Sequence, residues 1–270
     1  MTTAYDIQLN QAKQRMVENL LIIDNICKKN HIQYWLDFGS MLGAVRHQGF
    51  IPWDDDLDIS MLRADYEKFI QIAPKELPEY LFLQTKQTDP HYTKLVTKIR
   101  DTRTKFVEQE ENSNEKYQQG LFIDIFPYDF YSPVALKTFK LMHFFSNLRN
   151  HRHHYKKGSL KRLLFNLISI PCLLCISSLK IVFKFVHNTK NTEGALALEW
   201  PQPVYGNGHE LTDFFPLHDH VFENNLFPIP NQAEKLLTVF YGDWKSFPPL
   251  EDRIPHAKEI IMNYVENKES

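Results

Sequence analysis

From Ile32 to Phe130 short strand-type segments alternate with helical ones, and beyond residue 132 the strand pattern gives way to a helical one that runs to about residue 189. That order constrains the fold more than any single motif. Strands and helices in mixed order, followed by a mostly helical stretch, define an α+β fold. Residues 5–29 read as an amphipathic helix with Leu20, Ile23 and Cys27 at helical spacing. Ile32–Phe38 reads as a strand broken at Gly39-Ser40, and Met41–Gln48 as a helix. Asp56–Leu62 reads as a second strand, and Arg63–Ala73 as a helix stopped by Pro74. Short strands are expected at Tyr80–Thr85, Leu95–Arg100 and Lys105–Glu108, and a firmer one at Leu121–Phe130. The tail from Trp200 reads as loop-rich, with one helix near Ala233–Phe240.

At 270 residues, 43% hydrophobic and 24% charged, the chain can bury a full core. Low-complexity tracts and internal repeats are absent from the sequence. The start MTTAYDIQLNQAKQ lacks the basic and apolar runs of a secretory signal, so cytoplasmic residence is expected. Three cysteines, Cys27, Cys172 and Cys175, are too few for a disulfide framework. The C-x-x-C pair lies in an apolar run with no second pair to complete a zinc site.

The net charge of −2 conceals an asymmetry. Residues 130–192 contain no Asp or Glu, although 33 in 270 would place about 8 there, and they carry 11 Lys and Arg and five His. Within this stretch Leu163–Leu179 runs 17 residues without a charge, flanked by Lys161, Arg162, Lys180 and Lys184. As a helix it would reach roughly 25 Å, at the lower limit for crossing a bilayer. Pro171, Asn166 and three serines argue further against spanning. An interfacial helix pair on an anionic membrane surface is the expectation, against a buried core helix with solvated basic flanks. Nucleic acid is not expected, because no binding motif accompanies the charge. The expected division is a strand-and-helix core at 1–130, a basic helical membrane-surface insertion at 131–192, and a loop-rich and helical C-terminal part at 193–270.

Three features of the core fit one site. Gly39-Ser40 ends a strand and opens a helix, where free N–H groups form a phosphate seat and glycine allows close approach. Asp56 and Asp58, two apart on a strand, face one side and can converge on a hard cation. Asp124 is a carboxylate inside the apolar run Leu121–Phe126, costly unless it meets a cation, and it either completes the metal shell or accepts a proton. Each has a bland alternative: a frequent helix start, a solvated acidic turn at Asp54–Asp56, and a turn or cap residue. Lys98 and Arg100 share a strand face and could clamp a pyrophosphate, or simply be solvated. Arg46 and His47 could reach the phosphates, against a structural role. Trp35, Trp53, Trp200, Tyr205, Phe214 and Phe215 are candidates for an aromatic cage, or core. His209-Glu210 and His218-Asp219-His220 could serve substrate or a second metal, with surface as the default reading.

The block YWLDFGSMLGAVRHQGFIPWDDDLDISM (Tyr34–Met61) resembles the signature of the LicD family, which includes bacterial phosphocholine transferases and the fukutin-related proteins. GLFIDIFPYD (Gly120–Asp129), YGNGHELTDFFPL (Tyr205–Leu217) and PIPNQAEKLLTVFYGDW (Pro228–Trp244) are similar to further family elements. The basic helical stretch matches no motif. The resemblance implies a nucleotidyltransferase-like fold, a small mixed sheet flanked by helices, with Gly39, Ser40, Asp56, Asp58 and Asp124 at its motif positions. It implies Mg2+ or Mn2+, CDP-choline as donor, and a sugar hydroxyl of a teichoic-acid-like or other lipid-linked glycan precursor as acceptor, on the inner face of the cell membrane. Arg46, Lys98, Arg100, Trp53 and Tyr205 join Gly39 and Ser40 as the expected substrate contacts. Transfer of a nucleotidyl or other phospho-substituent is the alternative chemistry, and a non-catalytic glycan-binding protein the alternative class.

Overall fold

The computed structural model describes residues 4–109, 111–150, 156, 159–186, 193–198 and 208–264. Contacts divide the chain into two units, one of residues 1–128 with 212–270 and one of residues 129–211.

In the first unit α1 (Ala4–Lys29) buries Ala12, Met16, Leu20, Ile23 and Cys27, a stripe at three- and four-residue spacing. It carries Asp6 in its first turn and Lys28 and Lys29 in its last, the order that the helix dipole favours. The central sheet follows the order β1-β2-β6-β4-β3, with β1 at Trp35–Leu36, β2 at Asp58–Leu62, β3 at Leu81–Gln84, β4 at Thr97–Asp101 and β6 at Leu121–Tyr131. Along this order β2 and β6 are the one parallel pair and the others are antiparallel, so the sheet is mixed as expected. Asp58–Met61 and Leu121–Ile125 are buried throughout, as central strands covered on both faces require. Trp35, Tyr128 and Phe214 form an aromatic core with ring centroids 5.1–5.3 Å apart. Trp35 and Phe214, with Phe215 5.9 Å from Trp35, are thus packing residues rather than an exposed cage.

Several boundaries differ from expectation. The first strand shrinks to Trp35–Leu36, because α2 (Phe38–His47) starts at Phe38 and takes Gly39 and Ser40 into its first turn. Asp37, not Ser40, caps this helix, accepting the Phe38 N–H at 2.9 Å. The second strand begins at Asp58, which leaves Asp56 in the preceding loop. Helix α3 (Arg63–Glu76) runs through Pro74, whose missing N–H costs only one bond in the last turn. The tail holds more structure than expected. A hairpin forms between β8 (His218–Phe222) and β9 (Asn225–Ile229), turning at Glu223 and Asn224 with φ of 50° and 60°. After α6 (Leu211–Phe214) and α7 (Ala233–Tyr241), strand β10 (Ala257–Ile261) pairs with β5 (Lys105–Glu108).

In the second unit α4 (Pro133–Asn150) packs on α5 (Leu160–Val186), with Phe139 near the start of α4 5.9 Å from Phe183 near the end of α5. Strand β7 (Ala195–Leu198) pairs with β6, and the Tyr131 hydroxyl donates to the Leu198 carbonyl at 3.0 Å. The apolar helix is longer than its uncharged run and continues through Pro171. Leu160–Phe183 is, by length and composition, long and apolar enough to cross a membrane.

Candidate active site

Three elements bring the acidic side chains together. The loop before β2 carries Asp54, Asp55 and Asp56, β2 opens with Asp58, and β6 contributes Asp124, which lies opposite Asp58 in the parallel register. The Asp124 N–H donates to the Leu57 carbonyl at 2.9 Å, locking that register. Ser40 Oγ accepts the Asp58 N–H at 2.8 Å, so the first turn of α2 is pinned to the first residue of β2. Asp37 is fully buried and accepts from Ser60 Oγ at 2.7 Å, and its N–H donates to the Asp58 carbonyl at 3.1 Å. Gly39 stands against the loop: a Cβ there would lie 2.8 Å from Asp54 Oδ2. Lys13 of α1 ties the loop from below by donating to the Ile51 and Pro52 carbonyls, both at 3.1 Å.

The electrostatics follow from crowding. Burial, then the charge of Asp54, pushes the Asp56 carboxyl up to about 8. Burial raises Asp58 well above the usual range, with Asp56, Asp124, Asp54 and Asp37 all adding to it. Burial also raises Asp54 and Asp124. Lys98 opposes the rise at Asp124. Its Nζ lies 2.8 Å from Oδ1 and donates to Oδ2 at 3.1 Å, while resting 3.3 Å from the Phe122 ring centroid. Asp124 Oδ1 is nevertheless buried without a hydrogen bond in proper geometry among the described residues.

The C-terminal segment closes the site from 200 residues away in sequence. Asp55 accepts the backbone N–H groups of His256 at 3.0 Å and Ala257 at 2.6 Å, anchoring the start of β10. This sets His256 Nδ1 3.1 Å from Asp55 Oδ1 and 3.4 Å from Asp56 Oδ2. The bond to Asp55 leads the contributions that lift the imidazole to about 9, so it is a cation beside the acidic loop. Asp54, Asp56 and His256 each offer a ligand atom within 4.8 Å of one another. Sequence reasoning missed Asp54 as a site residue and His256 altogether. Asp54 carried a signal, the two-residue spacing of Asp58 and Asp56 continued backward; His256 carried none.

The expected substrate contacts divide. Arg100 is fully buried, its Nε donating to Gln84 Oε1 at 2.8 Å and Nη1 to the Gly120 carbonyl at 2.8 Å. The pyrophosphate clamp expected of it is corrected on that ground, since its guanidinium is enclosed by the framework. Lys98, on the same face of β4, is engaged with Asp124. Arg46 donates to the carbonyls of Trp244 at 2.6 Å and Ser246 at 3.3 Å. Trp53 stands 6.0 Å from Phe247, an edge-on contact. Tyr205 and Trp200 lie outside the described residues. His218, Asp219 and His220 fall on the outer hairpin, largely exposed.

A mixed sheet whose central parallel pair presents opposed aspartates beside a Gly-Ser helix turn is the architecture of a nucleotidyltransferase-type enzyme. Residues 31–173 match the family model described as LicD/FKTN/FKRP, nucleotidyltransferase domain, and the chain belongs to this family of transferases. It is 27% identical over 243 residues to the lipopolysaccharide cholinephosphotransferase LicD of Haemophilus influenzae, covering 86% of this chain and 89% of that protein. It is also 50% identical over 45 residues to the ribitol 5-phosphate transferase FKRP of Homo sapiens and of Mus musculus, 17% of this chain and 9% of each relative.

Proposed function

We propose that this protein transfers phosphocholine from CDP-choline to a sugar hydroxyl of a teichoic-acid-like or other lipid-linked glycan precursor. The observation that carries this reading is the convergence of Asp54, Asp56, Asp58 and Asp124, in a chain similar along most of its length to a cholinephosphotransferase. The donor set is carboxylate oxygen, and the crowding that raises Asp56 and Asp58 is relieved by a cation, which fits a hard divalent ion such as Mg2+ or Mn2+. Asp56 and Asp58 would hold it, with Asp124 as a further ligand and Asp54 available from the loop. Such an ion offsets charge on the transferred phosphoryl group and its leaving group.

The residues of the chain do the rest. The acceptor oxygen forms a bond to the β-phosphorus, the bridging P–O bond breaks, and CMP leaves with its electron pair. The hydroxyl proton passes to a carboxylate of the cluster. Calorimetric titration with CDP-choline, with and without Mg2+, tests the reading against CDP, CTP and CDP-ethanolamine. Metal-dependent binding with a preference for CDP-choline is expected. Equal binding of CTP with no gain from choline would move the assignment to nucleotidyl transfer.

The second unit supports work at an anionic membrane surface on the cytoplasmic side. Its helix α5 exposes Leu160, Leu164, Leu167, Leu174, Ile181 and Phe185, and residues 130–192 bear basic charge with no acidic residue to repel lipid phosphates. Sedimentation with vesicles of phosphatidylglycerol is expected to carry the protein down, and vesicles of phosphatidylcholine to do so poorly. A Leu167→Glu, Leu174→Glu variant that sediments like the parent would overturn this docking.

A further inference from the structure

Beside the acidic loop stands a second group of side chains that the carboxylate chemistry does not use. Arg253 lies 4.6 Å from the Trp53 ring centroid and 5.6 Å from that of Phe247, while Arg46 lies 5.0 Å from the same Phe247 ring. His47 stands 5.7 Å from Phe247 and accepts from Arg46 Nε at 2.9 Å. Two guanidinium groups thus share one exposed aromatic ring.

Neither arginine has a carboxylate within ion-pair distance among the described residues. Their polar contacts are backbone carbonyls, Trp244 and Ser246 for Arg46 and Pro248 for Arg253, together with the neutral face of His47. Burial and then the charge of Arg253 pull Arg46 down, and burial and then Arg46 pull His47 down, so the cluster is electrostatically short of an anion. Arginine forks match phosphate oxygens in bidentate fashion, and two of them beside an aromatic face suit a phosphate attached to a ring. The chain keeps this cluster next to the acidic loop: Trp53 immediately precedes Asp54, and Arg253 comes three residues before His256, which touches Asp55 and Asp56.

We infer that Arg46 and Arg253, with Phe247 and Trp53 between them, form the subsite that takes the nucleoside monophosphate portion of the donor and holds it after transfer. The inference rests on the reading of the site as one that uses a nucleotide donor. It adds Arg253 and Phe247 to the substrate contacts and assigns Arg46 to the leaving group.

The test is calorimetric titration of the full chain with CMP and with cytidine at saturating Mg2+, for wild type, Arg253→Ala and Arg253→Lys. Arg253→Ala is expected to weaken CMP at least tenfold and cytidine less than twofold, with Arg253→Lys intermediate and the melting temperature of all three alike. Equal CMP affinity in wild type and Arg253→Ala overturns the subsite, as does failure of the wild type to bind CMP. A sugar 1-phosphate that shows the Arg253 dependence in place of CMP also overturns it, giving the arginines to the acceptor. If CMP binding depends on Arg253 but choline adds nothing to the affinity of CDP-choline, the subsite stands while the phosphocholine reading falls.

Discussion

Asp54 occupies the space that a side chain at Gly39 would need, its Oδ2 standing 2.8 Å from the position of a Cβ on Gly39. The first turn of α2 and the acidic loop are therefore fitted to each other through the absence of one methyl group. Gly39→Ala should displace Asp54, the flexible member of the pair, and leave the fold intact. Alanine also raises helix propensity by about 1 kcal/mol over glycine. Turnover is expected to fall about tenfold to a hundredfold with an unchanged or slightly higher melting temperature, and a variant as active as the parent would count against Asp54 belonging to the site.

Four crowded carboxyl groups, Asp58 and Asp124 buried and Asp54 and Asp56 half-buried, are costly to ionise together in the metal-free protein, and this sets a trade between stability and function. Asp58→Asn removes one of them while keeping its shape. Activity should drop by about three orders of magnitude or more, and the metal-free variant should melt at or above the wild-type temperature. Wild type should be stabilised by Mg2+ by about 2.7 kcal/mol at a concentration one hundred times its dissociation constant, and the variant much less. Thermal melts across a Mg2+ series decide this, and near-normal activity in Asp58→Asn would remove the metal assignment.

Lys98 and Asp124 form a buried ion pair on neighbouring strands, with 3% and 13% of their side chains exposed. Breaking such a pair from one side costs about 3–5 kcal/mol, because the other charge is left uncompensated. Lys98→Met should therefore destabilise by about that amount. Adding Asp124→Asn should recover much of the stability and none of the activity. Denaturant unfolding of the two single variants and the double variant gives the coupling directly; additive losses would show that the pair is not linked.

Acid sensitivity should come from a different part of the first unit. Burial alone would raise the Glu111 carboxyl, but its contacts with Glu108, Lys94 at 2.6 Å and the Tyr117 hydroxyl at 2.8 Å hold it down to about 2. A carboxylate depressed in the folded state contributes stability that is complete above its unfolded value near 4.5 and is lost as pH falls toward 2. Glu111→Gln should lower the melting temperature at pH 7 and flatten its decline between pH 4.5 and 2. An unchanged slope in that window would contradict the assignment.

Much of the framework was legible because it depends on local pattern. The strand at Lys105–Glu108 and the start of the strand at Leu121 are where alternation and β-branched or aromatic content place them, and α1 follows its apolar stripe. The hairpin at His218–Ile229 was read as loop because exposed histidines and an aspartate mask its alternation, although the turn at Glu223-Asn224 is of the kind that connects adjacent strands. Arg100 could not be told from Lys98 by sequence, since both lie on one face of β4. Only packing shows that Gln84 and Gly120 enclose the first while Asp124 takes the second.

By itself the sequence determined an α+β chain, the pairing of a Gly-Ser turn with a run of aspartates, the isolated charge at Asp124 and the acid-free basic stretch, since each is a property of neighbouring residues. The tertiary structure decided which groups meet. The parallel register of β2 and β6 set Asp58 opposite Asp124, and the return of β10 to β5 carried His256 and Arg253 back to Asp55 and Trp53. Residues 200 positions apart are joined by strand pairing and burial, whose energies depend on the whole core, and no local pattern of residue types encodes that meeting.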